Sequence, residues 1–206
     1  MRIRYFSATA AALIAAAPLW GAGFPEHYGA DAGGTRYAPL ADITPRNVST
    51  LSPVWTWSSG DLARRDAATM RRSKFQATPI LADDRLVLCT PFNEVVALDP
   101  ASGSEIWRYD PKIKTNYRPA NLFNCRGVAL WRDPAAAAGA ACAARIFTAT
   151  NDARLIALDL KSGLPCADFG RQGEVQVETG KPLLGPGEWQ ITSPPIAAGS
   201  VVVVGS

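Results

Sequence analysis

Histidine is almost absent from this sequence of 206 residues, in which His27 is the single example. One imidazole cannot supply a multi-histidine metal site, and His27 belongs to no recognisable catalytic motif. The sequence therefore argues against a Ser-His-Asp hydrolase. It also lacks a P-loop, a GxGxxG after a strand, an HExxH segment and an EF-hand loop. Nucleotide-binding and zinc-protease functions consequently have no support.

Charge of one sign is not in large excess either. The 21 Lys and Arg residues stand against 18 Asp and Glu, and the net charge of +3 is spread along the chain. No nucleic-acid partner is therefore predicted. Apolar residues reach 48%, which is enough to build a core. The 17 Gly and 16 Pro indicate many turns and argue against long helices.

The N-terminus has the pattern of a secretory signal. Arg2 and Arg4 precede a nearly apolar, alanine-rich run at 7–19, which is short for a membrane span. We expect residues 1–22 to be a signal peptide and residues 23–206 to form the exported, periplasmic part. An uncleaved N-terminal anchor is the alternative. Export places the cysteines in an oxidising compartment, where disulfides persist.

Four cysteines follow the signal, and they allow three pairings. No CxxC occurs, so zinc binding and thioredoxin-like chemistry are weakly supported. Cys142 precedes a strand-like run and Cys166 follows the next one, so a hairpin would bring them together. We expect Cys142–Cys166, with Cys89–Cys125 as the second pair. Four buried thiols are the alternative.

A repeat dominates the rest of the chain. The sequence ALDPASG at 97–103 recurs as ALDLKSG at 157–163, and each copy follows short apolar runs. Asp99 and Asp159 are expected to cap turns in which glycine supplies a positive φ. Trp107 and Trp131 are expected to pack between sheets. Runs of 4–6 residues without helical periodicity predict an all-β fold of four-stranded propeller blades.

The length conflicts with a closed propeller. Blades of roughly 40–60 residues give about three to four blades here, and a propeller needs closure to protect its edges. The chain also stops directly after an apolar strand at 201–204, which we expect to be buried. We therefore expect the N-terminal part of a longer propeller, truncated at the C-terminus. A complete small open sheet is the alternative.

Several motifs, in order along the chain, resemble one family. They are HYGAD at 27–31, GGTRYAPL at 33–40, ATPI at 77–80, CRGV at 125–128 and TSPP at 192–195. Together with the repeat, this set resembles the pyrroloquinoline-quinone (PQQ) dependent alcohol and sugar dehydrogenases, and most closely the membrane-type glucose dehydrogenase group. The resemblance implies an eight-bladed propeller that holds PQQ and a divalent cation, usually calcium, near its axis.

The resemblance also implies which residues contact the cofactor. PQQ carries three carboxylates, so its site needs fixed positive charge and hydrogen-bond donors. Arg126 matches the arginine of the CRGV motif, and its planar fork suits a carboxylate or quinone oxygen. Thr192 matches a PQQ-binding threonine. The alternatives are that Arg126 pairs with a surface acid and that Thr192 only satisfies its own turn.

The sequence departs from the family pattern at two positions. Gln76 stands where the family usually has a glutamate that contacts PQQ, so a neutral amide replaces a charge. Leu122 stands where glucose dehydrogenases often have histidine, which puts glucose in doubt as the substrate. The basic stretch at 64–74 leads into Gln76. We expect it to be a solvated loop, or alternatively the rim of the cofactor mouth.

The function implied by the resemblance is oxidation of a sugar or other alcohol, with electrons passed to ubiquinone or a periplasmic cytochrome. The full-length protein could then associate with the membrane. The family's calcium ligands and catalytic Asp would lie beyond Ser206, so the 206-residue piece is expected to be inactive alone. Two alternatives stay open: a non-catalytic β-propeller scaffold, and a sugar-binding protein that has lost turnover.

Overall fold

Helices are short in this protein. The structure, a computed structural model, describes residues 26–31 and 33–205, so the signal peptide predicted at 1–22 lies outside the described residues. The helices are a 3-10 helix at Val48–Thr50, α1 at Asp61–Arg64 and α2 at Ala67–Met70. In the described part of the chain, no helix has the length and apolar character needed to cross a membrane.

Strands form three antiparallel sheets across the described residues. The first sheet contains β1 (Ile80–Ala82), β2 (Arg85–Cys89), β3 (Val95–Leu98) and β4 (Glu105–Tyr109). The second contains β5 (Ala129–Arg132), β6 (Ala144–Ala149), β7 (Arg154–Asp159) and β8 (Glu174–Gln176). The third pairs β9 (Ile196–Ala198) with β10 (Val201–Val203). The two larger sheets each follow chain order, as in propeller blades.

The described chain therefore holds two complete blades and a two-stranded third sheet, at the low end of the expected three to four. Among the residues that the structure describes, long segments before β1, β5 and β9 contain no strand, which lowers the number of blades. The last strand is less buried than predicted. Val201 and Val203 are 56% and 54% exposed because β10 pairs only with β9 in the described part of the chain.

The main core lies between the two complete blades. Strand β3 is buried along its whole length, and β7 is buried from Leu155 to Asp159. Fully buried aliphatic residues from both blades form one cluster: Ile80, Val87, Val95, Val128, Ile146, Ile156 and Leu158. Each such side chain contributes about 1.5–3 kcal/mol by leaving water. The near-continuous apolar runs of these strands fit burial on both faces.

In the structure, the turn of each repeat copy packs against a tryptophan from an earlier part of the chain. The Trp55 indole donates to the Pro100 carbonyl at 3.1 Å, and the Trp107 indole donates to the Leu160 carbonyl at 3.0 Å. A Cβ added at Gly103 would lie 2.5 Å from the Trp55 ring. Gly163 contacts Trp107 in the same way, so each blade receives a tryptophan from upstream. The expected inter-sheet packing of Trp107 is confirmed.

The other local predictions of the repeat also hold. Asp99 accepts hydrogen bonds from Ser102, and Asp159 accepts them from Ser162, so both acids cap their turns. The Trp131 indole donates to the Gly199 carbonyl at 2.9 Å and thereby packs against the third sheet. Both expected disulfides, Cys89–Cys125 and Cys142–Cys166, are present.

The strand directions define two opposite edges of the sheets. The site edge is the end of each sheet at which β1, β5 and β9 begin, and it also carries the turns at 90–94 and 150–154. We call repeat edge the opposite one, which carries the Asp-Ser-Gly turns at 99–104 and 159–164. Cys89–Cys125 lies at the site edge. Cys142–Cys166 lies at the repeat edge.

Candidate functional site

The three predicted cofactor residues lie in three segments that enter the blades at the site edge. Gln76 precedes β1, Arg126 precedes β5 and Thr192 precedes β9. The Thr78 N–H donates to the Arg126 carbonyl at 2.9 Å, and the Arg126 N–H donates to the Thr192 carbonyl at 3.2 Å. These backbone bonds hold the three segments side by side.

Arg126 and Thr192 are in direct contact through their side chains. The Arg126 guanidinium donates to the Thr192 hydroxyl at 2.5 Å. Both residues are half-buried. Among the described residues, no carboxylate forms a salt bridge with Arg126, which removes the surface-pair alternative for that part of the chain. A guanidinium has five N–H donors, so Arg126 retains donors for a further acceptor.

Gln76 reaches the same edge but not the same contact. Its side chain is exposed, and within residues 26–31 and 33–205 its amide makes no hydrogen bond. Its segment is linked to Arg126 through the backbone of Thr78, two residues further along the chain. The structure thus joins Arg126 with Thr192 and places Gln76 beside them with a free neutral amide.

Gly127 is a close-packing point that the sequence motifs do not reveal individually. A Cβ at this position would lie 2.8 Å from the Tyr28 ring, 3.3 Å from Pro194 and 3.4 Å from the Thr78 carbonyl. Residues of the HYGAD, ATPI and TSPP motifs therefore meet on the glycine of CRGV. Four of the five motifs that carry the resemblance therefore meet at Gly127, next to Arg126.

A buried disulfide fixes the segment that carries Arg126. Cys89 ends β2, and Cys125 directly precedes Arg126; their side chains are buried. The bond therefore ties the first blade, at the site edge, to the segment that leads into β5. A backbone held at this point limits how far Arg126 can move.

Four buried amide residues form a cluster beside this segment, and sequence reasoning missed them. Asn93, Asn124, Asn151 and Gln190 are at most 3% exposed. The Asn151 amide donates to the Asn93 side-chain oxygen at 2.6 Å and accepts from the Gln190 amide at 2.8 Å. We refer to these four residues as the amide cluster. Only burial and long-range pairing reveal it, because the four residues share no sequence motif.

The basic stretch at 64–74 is only partly the solvated loop that the sequence predicts. The side chain of Arg64 is 44% exposed, whereas that of Arg65 is 20% exposed. Both donate to Glu94, which is fully buried in the site-edge turn at 90–94. Arg108 donates to the same carboxylate. The hydrogen bond to Glu94 is the main cause that raises the pKa of Arg64 above its usual value.

The same stretch is anchored at its other end. The Arg72 guanidinium donates to the Tyr117 carbonyl at 2.5 Å and to the Thr115 carbonyl at 3.2 Å. Arg71 and Lys74 are exposed. The segment that leads into Gln76 is therefore clamped to the first blade and to the loop before β5, rather than free in solvent.

A cleft of about 540 Å³ opens near the amide cluster. Its lining includes Lys114, Tyr117, Asn151, Lys181 and Trp189. Neither Gln76, Arg126 nor Thr192 lines it. Burial raises the pKa of the Tyr117 hydroxyl above its ordinary value. The volume suits a small organic molecule.

The described residues offer no usable cation site. Their single group of three candidate ligands is Cys142, Cys166 and Asp168, and both sulfurs are in a disulfide. The calcium ligands expected beyond Ser206 stay a prediction. Leu122, at the position where histidine was expected for a glucose dehydrogenase, adopts a φ of 64°. Its carbonyl accepts from the Gln190 amide at 3.4 Å.

Comparison with known proteins gives consistent similarities. The family model for the PQQ glucose/ethanol/alcohol dehydrogenase β-propeller domain matches residues 25–206. Quinoprotein glucose dehydrogenase A of Acinetobacter calcoaceticus is 35% identical over 188 residues, which cover 86% of this chain and 23% of that protein. The quinate/shikimate dehydrogenase (quinone) of Acinetobacter baylyi is 34% identical over 200 residues, covering 88% and 24%.

A solved structure shows the same fold. The quinohemoprotein alcohol dehydrogenase of Comamonas testosteroni superposes with a TM-score of 0.66 at 26% identity, over 89% of this chain and 23% of that one. The chain spans about a quarter of the length of the curated relatives that it matches. The two blades and the third sheet therefore correspond to part of a larger propeller.

Proposed function

This chain belongs to the β-propeller family of PQQ-dependent glucose, ethanol and alcohol dehydrogenases, and we propose that it forms part of an enzyme that oxidises a sugar or other alcohol. Electrons would pass to ubiquinone or a periplasmic cytochrome. The signal-like N-terminus supports a periplasmic location, with membrane association of the complete protein as a further proposal. The calcium ligands and the catalytic Asp would come from residues beyond Ser206. The 206-residue piece alone would then be inactive.

The observation that carries the proposal is the contact between Arg126 and Thr192. Arg126 has donors to spare, is half-buried, and pairs with no carboxylate in the described part of the chain. The planar fork of a guanidinium with spare donors matches a carboxylate in charge and geometry. An external molecule would supply such a carboxylate, and PQQ carries three. The donor set of guanidinium, hydroxyl and Gln76 amide therefore fits the cofactor.

The residues of this chain would bind and orient the cofactor rather than transfer protons. When bound, PQQ supplies the redox chemistry by accepting the hydride equivalent from the substrate. Arg126 would hold a carboxylate or quinone oxygen by charge-assisted hydrogen bonds. Thr192, already bonded to Arg126, would add a hydroxyl at the same place. Gln76 would donate a neutral bond where the family usually has an acid.

Titration of the complete protein with PQQ tests the proposal. Arg126→Ala should weaken PQQ binding about 10- to 150-fold, because a hydrogen bond to a charged group contributes about 1.5–3 kcal/mol. Arg171→Ala is the matched control, since Arg171 is an exposed arginine near the repeat edge and should leave the affinity unchanged. Absence of PQQ binding by the wild-type protein would refute the proposal and favour the scaffold alternative.

Gln76 favours a second candidate function, a sugar- or polyol-binding protein without turnover. Its neutral, exposed amide replaces the acid that the family pattern expects. Dye reduction by the complete protein with PQQ, calcium and a panel of sugars and polyols separates the two functions. Reduction of the dye supports the enzyme. Ligand binding without dye reduction supports the binding protein.

A further inference from the structure

The amide cluster is a buried polar network that the proposed cofactor contacts do not use. Asn151 is its centre and is fully buried. Its amide nitrogen donates to the Asn93 side-chain oxygen at 2.6 Å and to the Asn124 carbonyl at 3.0 Å. Its oxygen accepts from the Gln190 amide at 2.8 Å and from the Asn124 N–H at 3.5 Å. All four hydrogen-bonding positions of this amide are therefore in use.

The partners of Asn151 belong to the segments that carry Arg126 and Thr192. Asn124 lies just before Cys125 and Arg126, and Asn151 contacts both its N–H and its carbonyl. Gln190 lies just before Ile191 and Thr192. The Gln190 side-chain oxygen also accepts from the Asn121 N–H at 2.8 Å. The Asn151 side chain, from the second blade, thus connects the segment before β5 with the segment before β9.

These bonds add a second tie to one that already exists. The Arg126 N–H bonds the Thr192 carbonyl at 3.2 Å, which sets the distance between the segments at one point. The Asn151 bridge holds them again two residues earlier in each segment. Two ties along a pair of neighbouring segments restrain their rotation as well as their separation.

We propose that Asn151 is a positioning residue, which acts through Asn124 and Gln190 to hold Arg126 and Thr192 in the geometry that binds the cofactor. This inference rests on the proposed function. Because the amide cluster is buried, a substitution that leaves one of its polar groups unpaired is costly. A fully bonded network of this kind also fixes a single arrangement of its side chains.

Two substitutions weaken the bridge in different ways. Asn151→Asp keeps the shape but places carboxylate oxygen against the Asn93 oxygen and the Asn124 carbonyl. Gln190→Met keeps the length but removes the donor to Asn151, and it serves if the first variant does not fold. PQQ affinity of the complete protein should fall about 10- to 100-fold in either variant, the range known for outer hydrogen-bond partners of metal ligands.

The control separates positioning from stability. Leu98→Val and Leu98→Ala remove core volume from the first blade, in a cluster with Leu88 and Val96 that contains no residue next to Arg126 or Thr192. Of these two variants, the control is the one whose fall in Tm matches that of the amide variant. PQQ affinity should stay unchanged in this control. Equal losses of affinity at equal loss of Tm would overturn the inference.

A double-mutant cycle gives the decisive readout. Because Arg126 is one of the two groups that Asn151 positions, the effect of Asn151→Asp or Gln190→Met on the PQQ dissociation constant should be smaller in an Arg126→Ala background. An undiminished effect in that background would overturn the inference while the proposed function stands. Failure of the wild-type protein to bind PQQ would instead remove the proposed function, and the inference with it.

Discussion

The two complete blades are built on one repeat, yet they differ sharply at the site edge. At the repeat edge, Asp99 and Asp159 cap equivalent turns and each turn receives a tryptophan from upstream. At the site edge, the Thr90 and Thr150 N–H groups bond the carbonyls of Glu94 and Arg154, so these two residues are equivalent but opposite in charge. The repeat edge therefore carries turns that the two blades share, and the site edge carries loop residues that differ from one blade to the other.

The environments of Glu94 and Arg154 differ as much as their charges. Glu94 is fully buried among three arginines. Arg154 pairs with Asp152 and Glu174, whose side chains are 32% and 40% exposed. Burial lowers the pKa of Arg154, but the bonds to these acids outweigh it and leave that pKa raised. The first blade thus buries the Glu94 carboxylate, whereas the ion pairs of Arg154 in the second blade are partly exposed to water.

Removal of Glu94 should give the largest loss of stability. Glu94→Ala leaves three arginine side chains without their shared anion, and breaking a buried pair costs about 3–5 kcal/mol. Arg154→Ala should cost about 1 kcal/mol or less because its partners are solvated. Urea unfolding of both variants checks the prediction. Equal losses would mean that the two positions are equivalent in energy as well as in the repeat.

Removal of each disulfide in turn should affect cofactor binding differently, because one lies at the site edge and the other at the repeat edge. Their sequence separations are 36 and 24 residues, and loops of this size contribute about 3–4 kcal/mol each in the chain-entropy model. Replacing Cys89 and Cys125 by serine should also weaken PQQ binding, because Cys125 precedes Arg126. Replacing Cys142 and Cys166 should not. Tm and PQQ affinity of both double variants measure this, and equal PQQ affinities would contradict a special role of the site edge.

The docked indole should have a smaller, purely structural effect. Trp107→Phe keeps the ring against Gly163 but removes the bond to the Leu160 carbonyl, at a cost of about 1 kcal/mol. PQQ affinity should be unchanged, since the contact lies towards the repeat edge. Chemical unfolding and PQQ titration on the same sample test this. A loss of affinity would show that the two edges are coupled.

The pH dependence of the repeat-edge turn should be the smallest effect. Burial acts to raise the pKa of Asp159, but hydrogen bonds from Ser162 and the Cys142 N–H outweigh it and hold that pKa below its usual value. Asp159 therefore contributes stability above its unfolded pKa of about 3.9, and this is lost as pH falls through the lower folded pKa.

The free energies of unfolding of wild type and Asp159→Asn, measured by urea unfolding, should differ most at pH 5–7, by about 1 kcal/mol or less. The difference should shrink below about pH 4. Asp42→Asn, at an exposed position outside the sheets, is the matched control. A wild-type-to-variant difference that is constant with pH would contradict the assigned cause.

The repeat edge was predictable from the sequence because its chemistry is local. Asp99 and Ser102 lie three residues apart, and the hairpin order of two neighbouring strands predicts that Cys142 meets Cys166. The site edge was predictable only in part. Arg126 and Thr192 came from the family resemblance, whereas Glu94 meets Arg64 across 30 residues of sequence. Asn93 and Asn151 are 58 residues apart. Contacts of this range depend on how the blades pack, and no short motif encodes them.

The most direct test of the central claim is a crystal structure of the complete protein grown with PQQ. The account predicts a PQQ carboxylate or quinone oxygen within hydrogen-bonding distance of the Arg126 guanidinium and the Thr192 hydroxyl, with Asn151 still bridging Asn124 and Gln190. Cofactor bound away from the site edge, or Arg126 paired with a carboxylate of the protein itself, would contradict it.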